Sequence, residues 1–159
     1  MATTRLFLLL ALCVLPMLAS AKPGPFQIRG KVYCDTCRAG FETVKSYYIS
    51  GAKVKIECSD RNSLEVKYSV ETDTDSTGTY NFEVQEDHGD QMCYAELVSS
   101  PVADCKVPNK GRHRATVILT RTNGAVNDLH YANNMGFLQR KALDGCDELI
   151  RNLLLDDEQ

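Results

Sequence analysis

The sequence predicts a mainly β protein: about seven short antiparallel strands in a barrel or sandwich, with a short C-terminal helix and three disulfide cross-links. Three observations lead there. Between Phe26 and Thr120, apolar side chains recur at every second position in runs separated by turn-forming residues. Only the last segment carries apolar residues at helical spacing. Six cysteines follow an N-terminal export leader. Period-two alternation marks strands with one face on a core and one in water. An even number of cysteines in an exported chain reads as a disulfide framework.

The leader comes first. Arg5 precedes an apolar run from Leu6 to Leu18, and Ala19-Ser20-Ala21 supplies the small residues of a cleavage site. The run is too short to span a bilayer comfortably, and no later stretch is apolar enough. The expectation is a signal peptide at 1–21 and one soluble, exported domain at 22–159, with no membrane insertion. Losing the leader removes Cys13 and Arg5, which takes the net charge from −3 to about −4. That balance argues against nucleic-acid binding, which needs a basic surface. No Asn-x-Ser/Thr triplet occurs, so N-glycosylation is not expected.

After the extended "KPGPF", Phe26, Ile28 and Val32 open the first strand. "KVKIEC" turns Val54, Ile56 and Cys58 to one side, and "LEVKYSVE" does the same with Leu64, Val66, Tyr68 and Val70. "TYNFEV" repeats it with Tyr80, Phe82 and Val84, and "MCYAELV" and "RATVILT" are further strands. Turn signals at Ser50-Gly51, Asp60 to Ser63, Asp73 to Gly78, Asp87 to Asp90, Pro101 and Asn109 to Gly111 separate them. In the last segment Cys146, Leu149, Ile150, Leu153 and Leu154 form one helical stripe, with Asp144 as N-cap and a frayed polar tail.

The pair Cys34-x-x-Cys37 decides most of the remaining chemistry. In a continuing strand the two would lie about 10 Å apart and face opposite ways, too far for a direct bridge unless the chain turns at Asp35-Thr36. A redox pair normally opens a helix in an alternating α/β protein, and no such alternation is present. A four-ligand zinc site needs two close pairs, whereas Cys58, Cys93, Cys105 and Cys146 stand alone. Two adjacent anchors with distant partners remain, and Cys146 on the helix is a natural partner for one of them. Six cysteines still allow fifteen connectivities.

Other motifs carry weaker signals. "DTDSTGTY" has the acidic start of a calcium loop, but Val84 stands where a bidentate Glu is required, so it reads as a hairpin turn. His88, His113 and His130 sit in no nucleophile or metal motif, no Gly-x-Ser-x-Gly elbow is present, and "EDHGD" reads as a solvated hairpin tip. Lys106, Lys110, Arg112, His113 and Arg114 form a basic loop. It is either a solvated loop beside a bridge or a docking patch for something anionic, such as cell-wall pectin or an acidic partner. Tyr47 and Tyr48 are either core or recognition surface.

"GKVYCDTCRAGFET", "ISGAKVKIEC", "TDSTGTYNFEV", "EDHGDQMCYAELVSSP" and "YANNMGFLQR" together resemble the Ole e pollen-allergen and extensin-like family, named for the major olive-pollen allergen. The resemblance covers nearly all of the mature chain. It implies a secreted plant protein with a disulfide-bonded β-barrel or sandwich, paired Cys34–Cys105, Cys37–Cys146 and Cys58–Cys93. Some members carry an N-glycan, for which this chain lacks the acceptor. A fainter similarity to transthyretin-like sandwich modules runs through Gly30, Gly51 and Gly78-x-Tyr80-x-Phe82. The implied function is non-enzymatic, without cofactor or metal, in pollen hydration, germination or tube growth. Its partner would be a wall polysaccharide, a secreted peptide or a receptor ectodomain. The alternatives are a wall hydrolase, which would need paired carboxylates, and a carrier with a ligand inside the barrel.

Overall fold

The computed structural model describes residues 24–125 and 127–156. The leader at 1–21 and the tail beyond Asp156 lie outside the described residues. Ten strands and one helix are described: β1 Phe26–Asp35, β2 Tyr47–Tyr48, β3 Lys53–Asp60, β4 Val66–Asp73, β5 Thr79–Val84, β6 Gln91–Ser99, β7 Cys105–Pro108, β8 Arg114–Val117, β9 Leu129–Tyr131, β10 Met135–Gln139 and α1 Cys146–Asp156.

The strands form two packed sheets. One is a regular antiparallel sheet in the order β4-β3-β6-β8. The other is built around β1, whose two halves have different neighbours. Phe26 to Lys31 pair antiparallel with β5 and, at Gln27 to Arg29, parallel with β9. Val32 to Asp35 pair parallel with β10, and Tyr33 and Cys34 antiparallel with β2. At the change-over the Val32 amide donates to the Gly78 carbonyl and the Val32 carbonyl accepts from the Ile49 amide, both at 2.9 Å. The ladders end at free edges, so the architecture is a sandwich and the barrel is not closed.

Alternation sets the core. Phe26, Ile28, Val32 and Cys34 of β1 face Val54, Ile56 and Cys58 of β3 and Cys93, Ala95 and Leu97 of β6. Tyr80, Phe82, Val84, Met135 and Phe137 complete it. Apolar area removed from water is worth roughly 25 cal/mol per Å², and these side chains are almost fully withdrawn from it.

The structure departs from the sequence expectation in several places. Ten strands replace about seven, and two of the pairings are parallel. The strands without a sequence signal, β2, β7, β9 and β10, have no period-two pattern: β7 is exposed after Cys105, β9 is half-buried or exposed throughout, and Met135, Gly136 and Phe137 of β10 are buried in succession. The "RATVILT" strand stops at Val117, with Ile118 exposed and Leu119 buried. Leu64 leaves the β4 pattern altogether: its φ is +57° and its side chain is exposed in the turn that the Asp60 carboxylate caps. The helical stripe is not a buried seam. Cys146 is buried and Leu149 and Ile150 half-buried, but Leu153 and Leu154 are exposed. The residue preceding the helix is Gly145, whose carbonyl accepts from the Leu149 amide, while the Asp144 carbonyl accepts from Lys45 Nζ at 2.8 Å.

Three disulfides join Cys34–Cys105, Cys37–Cys146 and Cys58–Cys93, with Cα separations of 6.0, 5.2 and 4.0 Å. Cys58 and Cys93 are directly opposite on β3 and β6. Cys34 and Cys105 belong to β1 and β7 of the other sheet. The chain turns at once after β1 ends at Asp35, because the buried Asp35 carboxylate accepts the Ala39 and Gly40 amides at 3.0 and 2.8 Å. That turn aims Cys37 away from β1 and towards Cys146.

Candidate functional site

The turn after β1 also builds a wall of a polar recess. It continues through Phe41, Glu42 and Val44 to β2, where Tyr47 and Tyr48 are exposed rather than buried. Opposite stands the "YANN" segment that joins β9 to β10. Between them, on the outer side of β1, lies a cavity of about 380 Å³ lined by Tyr33, Glu42, Arg112, Ala132, Asn133 and Asn134. A second recess of about 510 Å³, lined by Arg29, Gly30, Lys31, Tyr48, Thr79, Tyr131, Ala132 and Asn134, shares Ala132 and Asn134 with it. The two make one groove over β1, of a size that suits small ligands or a few units of a polymer.

Strand pairing, a tight turn and side-chain hydrogen bonds position the groove side chains. Tyr33 faces Gly136 across the β1–β10 ladder. A Cβ on residue 136 would lie 2.6 Å from Tyr33 Cζ, so only glycine lets the ring lie flat there. Gly136 in turn donates to the Arg112 carbonyl at 2.9 Å and accepts from the Asn109 amide at 3.0 Å. This fixes the tight Asn109–Arg112 turn against β10 and brings Arg112 to the groove, where its Nε donates to the Gly40 carbonyl. Asn134 Nδ2 donates to Glu42 at 2.8 Å. Lys31 Nζ sits 4.0 Å from the centre of the Tyr48 ring, a cation–π contact. Tyr131 is 78% exposed at the end of β9.

Burial pushes the Tyr33 hydroxyl up to about 12; Arg112 opposes the shift, while Asp35 and Glu42 add to it. Tyr48 is raised by its hydrogen bond to Glu42, and core burial raises Tyr80, whose hydroxyl has no partner. An unfolded tyrosine loses its proton near 10. Between pH 10 and 12 the unfolded chain therefore releases protons that folded Tyr33 retains, and stability falls with rising pH. Alkaline titration followed by phenolate absorbance should show a late class of tyrosines that ionises together with unfolding. Seven tyrosines all ionising near pH 10 in a still-folded chain would contradict this.

The basic loop read from the sequence does not form one surface. Only Arg112 enters the groove. Lys106 lines a separate recess on β7 with Arg38, Asp104 and Arg140. Arg114 lies on the outer face of the other sheet, its guanidinium 4.1 Å from the Tyr94 ring. The His113 ring bonds the Lys110 carbonyl at 2.8 Å, and Lys110 itself is exposed in the turn. Strand direction disperses the five: β7 and β8 belong to different sheets. Asp75, in the calcium-like stretch, spends its carboxylate on the Thr77 hydroxyl and the Thr77 and Thr79 amides of a hairpin turn. His88 is buried rather than solvated, its ring tilted against that of Tyr68 with centroids 4.8 Å apart.

The model of the family described as "Pollen protein Ole e 1 like" matches residues 24–154, which include every cysteine bridge and the whole groove. The chain belongs to that family. Among its relatives, "Protein DOWNSTREAM OF FLC" of Arabidopsis thaliana is 47% identical, over 99% of this chain and 98% of its own length. "Pollen-specific protein C13" of Zea mays is 39% identical, over 99% of this chain and 94% of its own. The crystal structure of the major plantain pollen allergen Pla l 1 superposes with a TM-score of 0.68 at 28% identity, covering 77% of this chain and 99% of that one. The sandwich is thus the fold of a pollen-allergen-like plant family, and the groove lies on its β1–β9–β10 side.

Proposed function

We propose that this chain is a secreted, non-enzymatic extracellular plant protein that acts in pollen germination or tube growth. The leader at 1–21 directs export, and 22–159 acts as one domain in the extracellular space or cell wall. The domain binds through the groove, with a cell-wall polymer, a secreted peptide or a receptor ectodomain as its partner. The observation that carries this reading is the groove itself. It puts an exposed aromatic ring, Tyr131, beside the amides of Asn133 and Asn134 and the charges of Glu42 and Arg112. Loops set on a rigid covalent frame are the usual place for recognition, and aromatic plus Arg anchors are the residues that most often dominate binding. The pollen-related names of relatives support the tissue, and three disulfides suit an oxidising compartment.

The test is replacement in the plant. Pollen carrying Tyr131→Ala with Arg112→Gln in place of the parent protein is expected to germinate or elongate poorly. The variant should melt with the parent, because both side chains are exposed. Full function from a folded, secreted double variant would remove the groove from the mechanism.

A further inference from the structure

Resting on that reading, we propose that the groove binds a carboxylate-bearing polysaccharide, with Arg112, Lys31 and Arg29 meeting its uronate groups and Tyr131 its sugar faces.

The first argument is charge. In a chain of net charge −3, three cations line the two joined recesses, and Glu42 is the single carboxylate among the lining residues. The ion pairs of the described residues involve Lys53, Lys55, Lys67, Arg121 and Arg140, and none of the three groove cations. Arg112 donates to a backbone carbonyl, Arg29 to the Asn81 side-chain carbonyl at 3.0 Å, and Lys31 rests on the Tyr48 ring. Asp75, whose carboxyl is lowered chiefly by its Thr77 and Thr79 hydrogen bonds and slightly by Lys31, is already held by those two residues. Glu42 is occupied by Asn134 and Tyr48. The guanidinium of Arg112 therefore keeps donors for a planar carboxylate, the geometry it matches best.

The second argument is shape. A peptide would seek an unpaired strand edge or apolar side-chain pockets. β1, which floors the groove, is already paired on both sides: by β5 and β9 along its first half, and by β10 and β2 along its second. The lining offers amides, guanidinium and ammonium groups spaced along an open trough. Asn133 and Asn134 each present both a donor and an acceptor, as neighbouring hydroxyls require. Tyr131, three-quarters exposed at the rim, supplies the apolar ring against which C–H faces of a sugar can lie.

The experiment uses the oxidised protein and two probes of equal length, a short oligogalacturonate and the same oligomer with its carboxyls methyl-esterified. Binding is followed by calorimetry and by amide chemical shifts. The acidic probe is expected to bind, to weaken as salt rises, and to shift amides of β9, β10 and the Asn109–Arg112 turn. Arg112→Gln should weaken it about tenfold or more, and Tyr131→Ala should weaken it without changing the salt dependence. Equal binding of both probes, or no binding of either, overturns the proposal. In those cases the plant replacement test separates the two ideas. If the groove variant still fails in pollen, the groove has another ligand; if it works, the groove reading falls as well.

Discussion

Replacing both Cys34 and Cys105 by alanine should cost about 4 kcal/mol and lower the melting temperature by more than about 10 °C. The bridge closes a sequence separation of 71 residues, and both sulfurs are fully buried in the core. Its loss frees the unfolded chain and leaves a void between β1, β10 and β7. A domain of this size has only about 5 to 15 kcal/mol to lose. Loop length alone would rank Cys37–Cys146 higher, since it spans 109 residues. The structure reverses that ranking. Beyond Cys146 the helix is half-exposed or exposed, so without its bridge the folded state also gains freedom, which offsets much of the entropy gained by the unfolded chain. Denaturant unfolding of the two double variants decides the matter. A larger loss for Cys37→Ala with Cys146→Ala would mean that the helix packs more firmly than its exposure implies.

Gly78→Ala should be nearly as damaging, at about 3 kcal/mol. Gly78 has φ +72°, and a Cβ there would lie 2.5 Å from Tyr48 Cβ, 3.1 Å from the Ile49 amide and 3.2 Å from the Val32 carbonyl. Left-handed backbone costs an alanine about 1 kcal/mol, and forcing apart two backbones at the bend of β1 adds about 2 more. Gly124 is the matched control. Its φ is +80° with nothing within 4 Å of an added Cβ, so Gly124→Ala should cost only the backbone strain. If the two substitutions cost the same, the close approach at Gly78 is relieved by a small shift of Tyr48. If they differ as expected, surviving Gly78→Ala protein should also show a displaced Tyr48 and a disturbed groove.

How far the sequence can be read follows from where each signal originates. Strands β3, β4, β5 and β6 were legible because each lies with one face on the core and one in water, which imposes period two. β10 has its first three residues buried and carries no such imprint. β9 is three residues long and owes its place to β1. The exposed leucines of α1 show the opposite error: a regular stripe does not reveal whether anything covers it. The groove was only partly readable. Tyr48 and Arg112 stand out in the sequence, but the chain neighbours that make Arg112 part of a basic loop are sent elsewhere by the sheet topology. Arg29, Lys31, Glu42 and Tyr131 gave no local hint, because they meet only when β1, β9 and the turn held by Asp35 come together. A polar residue ending a strand beside a glycine-containing partner, as in "YANNMG", was the available clue.

The longest covalent loop has a practical outcome for proteolysis. Any single backbone cut between Arg38 and Gly145 falls inside the ring closed by Cys37 and Cys146. The nicked molecule stays in one piece, and the severed ends remain beside each other in the sheets that formed them. Within that ring, digestion must therefore cut at least twice before a fragment is shed, so surface shapes presented there can outlast the intact chain that built them.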